Sequence, residues 1–159
     1  MSEWVLLLGG STGHGAATAK RLAHDGYGII AFHFDRGDAK KIAKETISEV
    51  KEITQGRCYY FNTNAASEDA MEKYIPHIKD ITSGMHLKLL LHSIAFGTTT
   101  NFFGEKPVTQ RQMDMTVHVM GNSLLYWTQK LYKEKLLGNG SRILGLTSEG
   151  NYLAMEGYG

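Results

Sequence analysis

Short, almost wholly apolar runs alternate along this chain with longer stretches of helical periodicity. WVLLLG (residues 4–9) is apolar without alternation and ends in glycine. That predicts a strand covered on both faces. In GAATAKRLAHDG (15–26), Ala16, Ala19, Leu22 and Ala23 fall on one face at i, i+3, i+4 spacing, which predicts a helix stopped at Gly26. GIIAFHF (28–34) predicts a second strand, and residues 38–54 a helix with Ile42, Ile47, Val50 and Ile53 inward. CYYF (58–61) and residues 67–81 predict a third strand and helix. LKLLLHSI (87–94) predicts a fourth strand, residues 110–137 a long helix with a break near Gly121, and SRILGLTS (141–148) a fifth strand. Continuous rather than alternating apolar strands, each followed by a helix, imply an α/β fold with a doubly wound parallel sheet and helices on both faces. Right-handed crossovers then gather the C-terminal ends of all the strands at one edge, where ligands bind.

Composition changes this picture little. A length of 159 residues suits one domain spanning 1–159, without repeats or low-complexity tracts. Lys and Arg number 17 against 16 Asp and Glu, so no electrostatic footprint favours nucleic acid or an anionic membrane. No apolar stretch approaches the ~20 residues of a membrane span. The Met-Ser-Glu start lacks the basic region of a secretory signal, and the single cysteine, Cys58, fits a reducing compartment, so a cytoplasmic location is expected. The seven histidines show no metal-ligand spacing, so no metal site is expected. The informative number is 18 glycines, because of where they stand.

Gly9, Gly13 and Gly15 form a G-x-x-x-G-x-G loop between the first strand and first helix. A dinucleotide pyrophosphate must approach backbone N–H groups at a helix N-terminus, where a Cβ would hold it off. The third glycine lets helix and strand pack closely, giving a Rossmann-type arrangement. A generic glycine-rich turn is the plain alternative, but position after the first strand and before a helix supports nucleotide binding. Ser11 and Thr12 add hydroxyl donors, and His14 completes the loop as a solvent-facing residue. Asp35, twenty residues after Gly15, stands where an acid accepts hydrogen bonds from the adenosine ribose hydroxyls. Arg36, with Lys40 and Lys41 nearby, could instead hold a 2′-phosphate or simply be a solvated helix start. The cofactor is therefore NAD or NADP, with Asp35 tilting the choice towards NAD.

With these residues the chain resembles the short-chain dehydrogenase/reductase family. LLHSIAFG (90–97) occupies the place of that family's Asn-Asn-Ala-Gly motif, and its His-Ser-Ile-Ala-Phe form is similar to the enoyl-acyl-carrier-protein reductases of bacterial fatty acid synthesis. The resemblance implies that Asn64 and Ala65 flank the adenine, with Asn64 replacing the more common aspartate. It implies that Ser93, Ile94 and Ala95 line the cofactor and that Gly97 borders an acyl thioester substrate. His92 reads as a buried strand histidine with a satisfied ring. By the same resemblance Ser148 and Tyr158, ten residues apart, bind and protonate or polarise the substrate carbonyl; Tyr152 is a competing tyrosine with too short a spacing. His118 stands where the family's main branch has an asparagine that organises a proton relay, and a partly exposed helix histidine is the alternative reading.

The resemblance thus implies an NAD(P)-dependent oxidoreductase reducing an enoyl-acyl thioester. A 3-oxoacyl or ketone reductase of the same family and a non-catalytic dinucleotide-binding module are the alternatives. Met113, Val117, Met120, Leu124, Leu125 and Trp127 give the fourth helix more apolar coverage than one sheet face needs. In this family that region commonly forms a subunit interface, so a homo-oligomer, dimer or tetramer, is expected. The family pairs its tyrosine with a lysine further on, and none follows Tyr158 before Gly159. The expectation is that these residues are the cofactor-binding portion of a longer enzyme, with the C-terminal part of the fold missing.

Overall fold

The computed structural model describes residues 3–153 and 155. Five strands, β1 (Trp4–Leu8), β2 (Gly28–His33), β3 (Cys58–Asn62), β4 (Leu89–His92) and β5 (Arg142–Gly145), form one sheet. Their order is β3-β2-β1-β4-β5, and every pairing is parallel. Between them run α1 (Gly13–His24), α2 (Ala39–Ile53), α3 (Glu68–Ile81), α4 (Gln110–Val117) and α5 (Ser123–Lys133). The order runs outward from β1 in both directions, so the chain reverses its winding between β1 and β4. This is the Rossmann-type α/β fold.

The continuous apolar strands follow from burial on both faces. Successive side chains of a strand point to opposite faces. Leu6, Leu8, Ile30, Phe32 and Leu90 accordingly join Met71, Ile75 and Ile78 of α3 and Trp127 and Leu131 of α5 in one core layer. Val5, Leu7, Ile29, Ala31 and Leu91 join Ala19 and Ala23 of α1 and Val50 of α2 in the other. The first layer is centred on Phe32, whose ring lies 5.0 Å from Trp127, 5.3 Å from Phe61 and 5.4 Å, edge to face, from Tyr74. At the outer edge of the sheet Ile143 and Leu144 of β5 are exposed.

Four helices end in the same device. After α1, Gly26 N–H donates to Ala23 O and Tyr27 N–H to Leu22 O, the paired bonds of a Schellman motif. The same pattern closes α2 through Gln55 and Gly56, α3 through Ser83 and Gly84, and α5 through Lys135 and Leu136. Each motif needs a left-handed residue. Gly26 supplies it for α1, but Gln55 (φ +53°), Ser83 (φ +52°) and Lys135 (φ +59°) supply it for the others. These turns drop the chain back to the N-terminal ends of the following strands.

Several boundaries differ from the sequence expectation for local reasons. The first helix begins at Gly13 rather than Gly15, because Thr12 O already accepts from Ala16 N–H. The fourth strand covers Leu89–His92 rather than 87–94, and the fifth Arg142–Gly145 rather than 141–148. The long helix does break at Gly121, into a π-turn over His118–Asn122, and it ends at Lys133 rather than 137. Its apolar stripe divides: Trp127 is fully buried, whereas Val117, Met120 and Leu125 are exposed.

A left-handed backbone costs a non-glycine residue about 1–2 kcal/mol, part of which glycine returns as unfolded-state freedom. Lys135→Gly is therefore expected to stabilise the fold by about 0.5–1 kcal/mol in urea denaturation. A loss of stability would show that Lys135 contributes more through its side chain than its backbone costs.

Candidate functional site

The parallel sheet brings the sequence-identified residues to one edge. The glycine loop follows β1, Asp35 follows β2, Asn64 and Ala65 follow β3, Ser93 to Gly97 follow β4, and Ser148 follows β5. Along that edge the order is therefore Asn64, Asp35, glycine loop, Ser93, Ser148. The loop lies at the point where the winding reverses, which is where open α/β sheets bind ligands.

The glycine loop is built by exclusion of side chains. Gly9 has φ +92°, and a Cβ there would collide with the backbone carbonyl of Ser93. A Cβ on Gly15 would run into the carbonyl of Gly9 and stand 3.2 Å from Ser93 Oγ. Two amides, Gly9 N–H and Gly10 N–H, both donate to Phe32 O at 2.9 and 3.0 Å, tying the loop to β2. Ser11 is buried, while Thr12, Gly13 and His14 are exposed at the helix entrance. No acidic side chain stands in the first turn of α1. The exposed helix N-terminus thus presents backbone N–H groups and the positive end of the helix dipole, with no anionic side chain in that turn to compete.

At the end of β2, His33 Nδ1 lies 2.7 Å from Asp35 Oδ2, and both side chains are largely buried. A carboxylate only accepts, so the proton sits on the imidazole nitrogen, and His33 donates. This bond fixes the orientation of Asp35. The Arg36 guanidinium lies over the ring of Phe34, 4.5 Å from its centroid, on the solvent side. After β3, Asn64 Oδ1 accepts from Ala66 N–H at 3.0 Å, closing a tight turn. Asn64 is exposed and Ala65 is buried.

After β4, Ser93 N–H donates to Leu8 O at 2.7 Å, extending the β1–β4 ladder to the loop. The Ile94 side chain is half-buried, packed against the core layer that includes Phe32. Ala95 and Gly97 are exposed. A Cβ at Gly97 would stand 2.6 Å from Thr116 Cγ2 and 3.2 Å from Met120 Sδ, so the chain passes directly over α4 and the π-turn. Ser148 is exposed, and its Oγ accepts from Gly150 N–H at 3.2 Å. Tyr158 lies outside the described residues.

His92, 2% exposed, is the buried, satisfied strand histidine anticipated from the sequence. Ser123 Oγ donates to Val119 O at 2.8 Å, which leaves it to accept from His92 Nε2–H at 2.8 Å. Desolvation by burial is the main influence on the ring and holds its pKa below the ordinary 6.5.

Two features went unread in the sequence, the His33–Asp35 bond and two long-range donors to the loop after β3, and the π-turn showed there only as a break near Gly121. Trp127 Nε1–H donates to Ala65 O at 2.7 Å, and His118 Nε2–H to Ala66 O at 3.0 Å. A cavity of about 380 Å³, lined by Glu3, His86, Lys88, Asn139 and Ser141 among others, lies at the opposite edge of the sheet. It gathers none of the residues above.

A reversal of winding between β1 and β4, with a bare-backbone loop opening a helix there, defines a doubly wound α/β protein of the Rossmann type. The chain belongs to the short-chain dehydrogenase family, whose model matches residues 3–158. It is similar in structure to a short-chain dehydrogenase/reductase from Serratia marcescens, with TM-score 0.77 and 21% identity over 96% of this chain and 58% of that one. A short-chain dehydrogenase from Bacillus anthracis gives TM-score 0.72 and 21% identity over 98% and 59%. The chain therefore spans somewhat under two thirds of the length of these structures.

A histidine held neutral by burial favours the folded state only while the unfolded chain is also unprotonated. As pH falls through 6.5 the unfolded state takes up the proton first, and stability declines. His92→Gln is expected to flatten the fall in Tm between about pH 7.5 and about pH 5.5 by a few degrees. An unchanged slope would show that His92 does not carry the acid sensitivity.

Proposed function

We propose that this chain carries the nicotinamide-dinucleotide-binding part of an oxidoreductase that reduces an enoyl-acyl thioester, the type of reaction used in fatty acid synthesis. The observation that carries the reading is the glycine loop, bare of side chains and pressed against Ser93 at the reversal of the sheet. The residues fit a dinucleotide. Backbone N–H groups of the loop and the N-terminus of α1 hold the pyrophosphate, with Ser11 and Thr12 as hydroxyl donors and His14 at the rim. Asp35, oriented by His33, accepts from the adenosine ribose hydroxyls. Asn64 and Ala65 border the adenine, and Ser93, Ile94 and Ala95 line the nicotinamide side. A carboxylate at Asp35 would repel a 2′-phosphate, which supports NAD over NADP despite the adjacent Arg36.

When bound, the reduced nicotinamide supplies the hydride. The chain's own contribution is to place the acyl group beside Gly97 and to stabilise the charge that develops on the thioester oxygen. Ser148 and Tyr158 are the hydrogen-bond donors for that oxygen, a stabilisation that grows towards the transition state. An ordinary tyrosine has a pKa near ~10, so Tyr158 requires a neighbouring cation to give up its proton at neutral pH. The His-Ser-Ile-Ala-Phe sequence at 92–96 favours the enoyl substrate. A ketone substrate is the second reading, favoured by the exposed Ser148 hydroxyl at the end of β5. The exposed Val117, Met120 and Leu125 favour self-association as a dimer or tetramer, and the single, unpaired Cys58 fits the cytoplasm.

Calorimetric titration of the 159-residue chain is expected to show NADH binding more tightly than NADPH. Gly15→Val should weaken NADH by at least about ten-fold, since its side chain cannot avoid the Gly9 carbonyl. Unaltered binding by this variant would remove the glycine loop from the site. For the reaction, the longer enzyme carrying this chain and a lysine beyond Tyr158 should oxidise NADH with a crotonyl thioester and not with an acetoacetyl thioester; the reverse preference selects the ketone reading. Binding without oxidation of NADH by either substrate would leave a dinucleotide-binding module.

A further inference from the structure

His118 and Trp127 are nine residues apart. At about 100° per residue, residues so spaced sit on roughly opposite faces of a continuous α-helix. The π-turn over His118–Asn122 absorbs one extra residue and removes about 100° from that angle. Both side chains then reach one short segment: His118 Nε2–H donates to Ala66 O and Trp127 Nε1–H to Ala65 O. The segment itself is the turn after β3, closed by Asn64 Oδ1 on Ala66 N–H and by Asn64 O on Ser67 N–H. Its carbonyls are held from behind while the exposed Asn64 faces the ligand edge. The same helical stretch also meets β4 and the chain after it, where Thr116 Oγ1 accepts from Thr98 N–H at 3.1 Å and Ser123 holds His92.

We propose that the π-turn exists to bring His118 and Trp127 onto these two successive carbonyls, making both of them positioning residues for adenine recognition by the turn at 64–66. The proposal rests on the dinucleotide reading above. In this role His118 acts through the Ala66 carbonyl and touches neither nucleotide nor substrate. Trp127 is also a core residue, packed 5.0 Å from Phe32, so His118 offers the cleaner test.

Two measurements on the 159-residue chain separate the brace from the ligand it serves. Amide hydrogen exchange at residues 64–67, recorded without ligand, should quicken in His118→Leu and stay near the wild-type rate in His118→Gln, which retains an N–H donor. Calorimetry should show ADP-ribose binding weakened about three- to ten-fold by His118→Leu and within about two-fold of wild type for His118→Gln. Nicotinamide mononucleotide, which lacks the adenine, should bind both variants as it binds the wild type. Trp127→Phe keeps the ring packing and removes the N–H, and should weaken ADP-ribose in the same direction. Unchanged exchange in His118→Leu, or faster exchange with unchanged ADP-ribose binding, overturns the proposal. If the wild type binds neither ADP-ribose nor NADH, the dinucleotide reading fails and takes the adenine role with it; the ligand-free exchange result then shows whether the brace itself stands.

Discussion

The tightest constraint in the molecule is the meeting of three backbones at the C-terminal ends of β1 and β4. The turn leaving β1, the first residues of α1 and the carbonyl of Ser93 converge so closely that neither Gly9 nor Gly15 can carry a Cβ. This contact sets how low α1 lies on the sheet. A helix so close to the strands can present only small side chains at first, and its buried positions Ala16, Ala19 and Ala23 are all alanine. The same contact leaves the amides at the helix entrance facing outward rather than covered by side chains. Close packing of the core and access of a ligand to the backbone therefore have one cause.

Away from that point, the strands supply rigidity through burial on two faces. At roughly 25 cal/mol per Å² of apolar surface, side chains such as Leu6, Leu8, Ile30 and Phe32 are worth about 1.5–3 kcal/mol each when fully removed from water. They sit in the layer that α3 and α5 cover, while their neighbours one residue along sit in the layer that α1 and α2 cover. The edge that carries the candidate site is thus mounted on the most heavily buried strands, β1 and β2. The edge strand β5, with Ile143 and Leu144 exposed, contributes only Ser148 beyond its end.

These relations explain how much of the fold is legible in the sequence. Strands β1 and β2 were legible because burial on both faces writes an uninterrupted apolar run, and the glycine loop because its spacing reflects steric exclusion between near neighbours. Helix ends were legible only in part. Gly26 marks the end of α1, but Gln55, Ser83 and Lys135 fill the same left-handed position without being glycine, so nothing in their identity announces it. The π-turn was visible only as a weak break at Gly121. The ring of His118 was ambiguous because its partner is a carbonyl 52 residues away. A backbone acceptor leaves no trace in the sequence, since every residue has one. The His33–Asp35 bond escaped for a different reason. Alternate residues of a strand point to the same face, so the pair was geometrically foreseeable, but Asp35 lies beyond the strand end, where that alternation no longer holds.

Backbone and side chain divide the work at this edge. Phosphate recognition needs only amides and a helix end, so it is satisfied by any sequence that leaves the backbone bare; there glycine is required and little else. Selection among ligands needs side chains, and these stand just past strand ends, where the ladder no longer orients them. Each has acquired a separate restraint: His33 on Asp35, the Ala66 amide on Asn64, and Thr116 on the chain beyond Gly97. A carboxylate or amide left free to rotate would lose part of its discrimination to rotamer entropy, of the order of 0.5–1.5 kcal/mol per side chain. The restraints come from β2, from the turn after β3 and from α4. On the proposed dinucleotide reading, specificity at the edge is therefore a property of the packed domain as a whole, whereas affinity for phosphate is local to one loop.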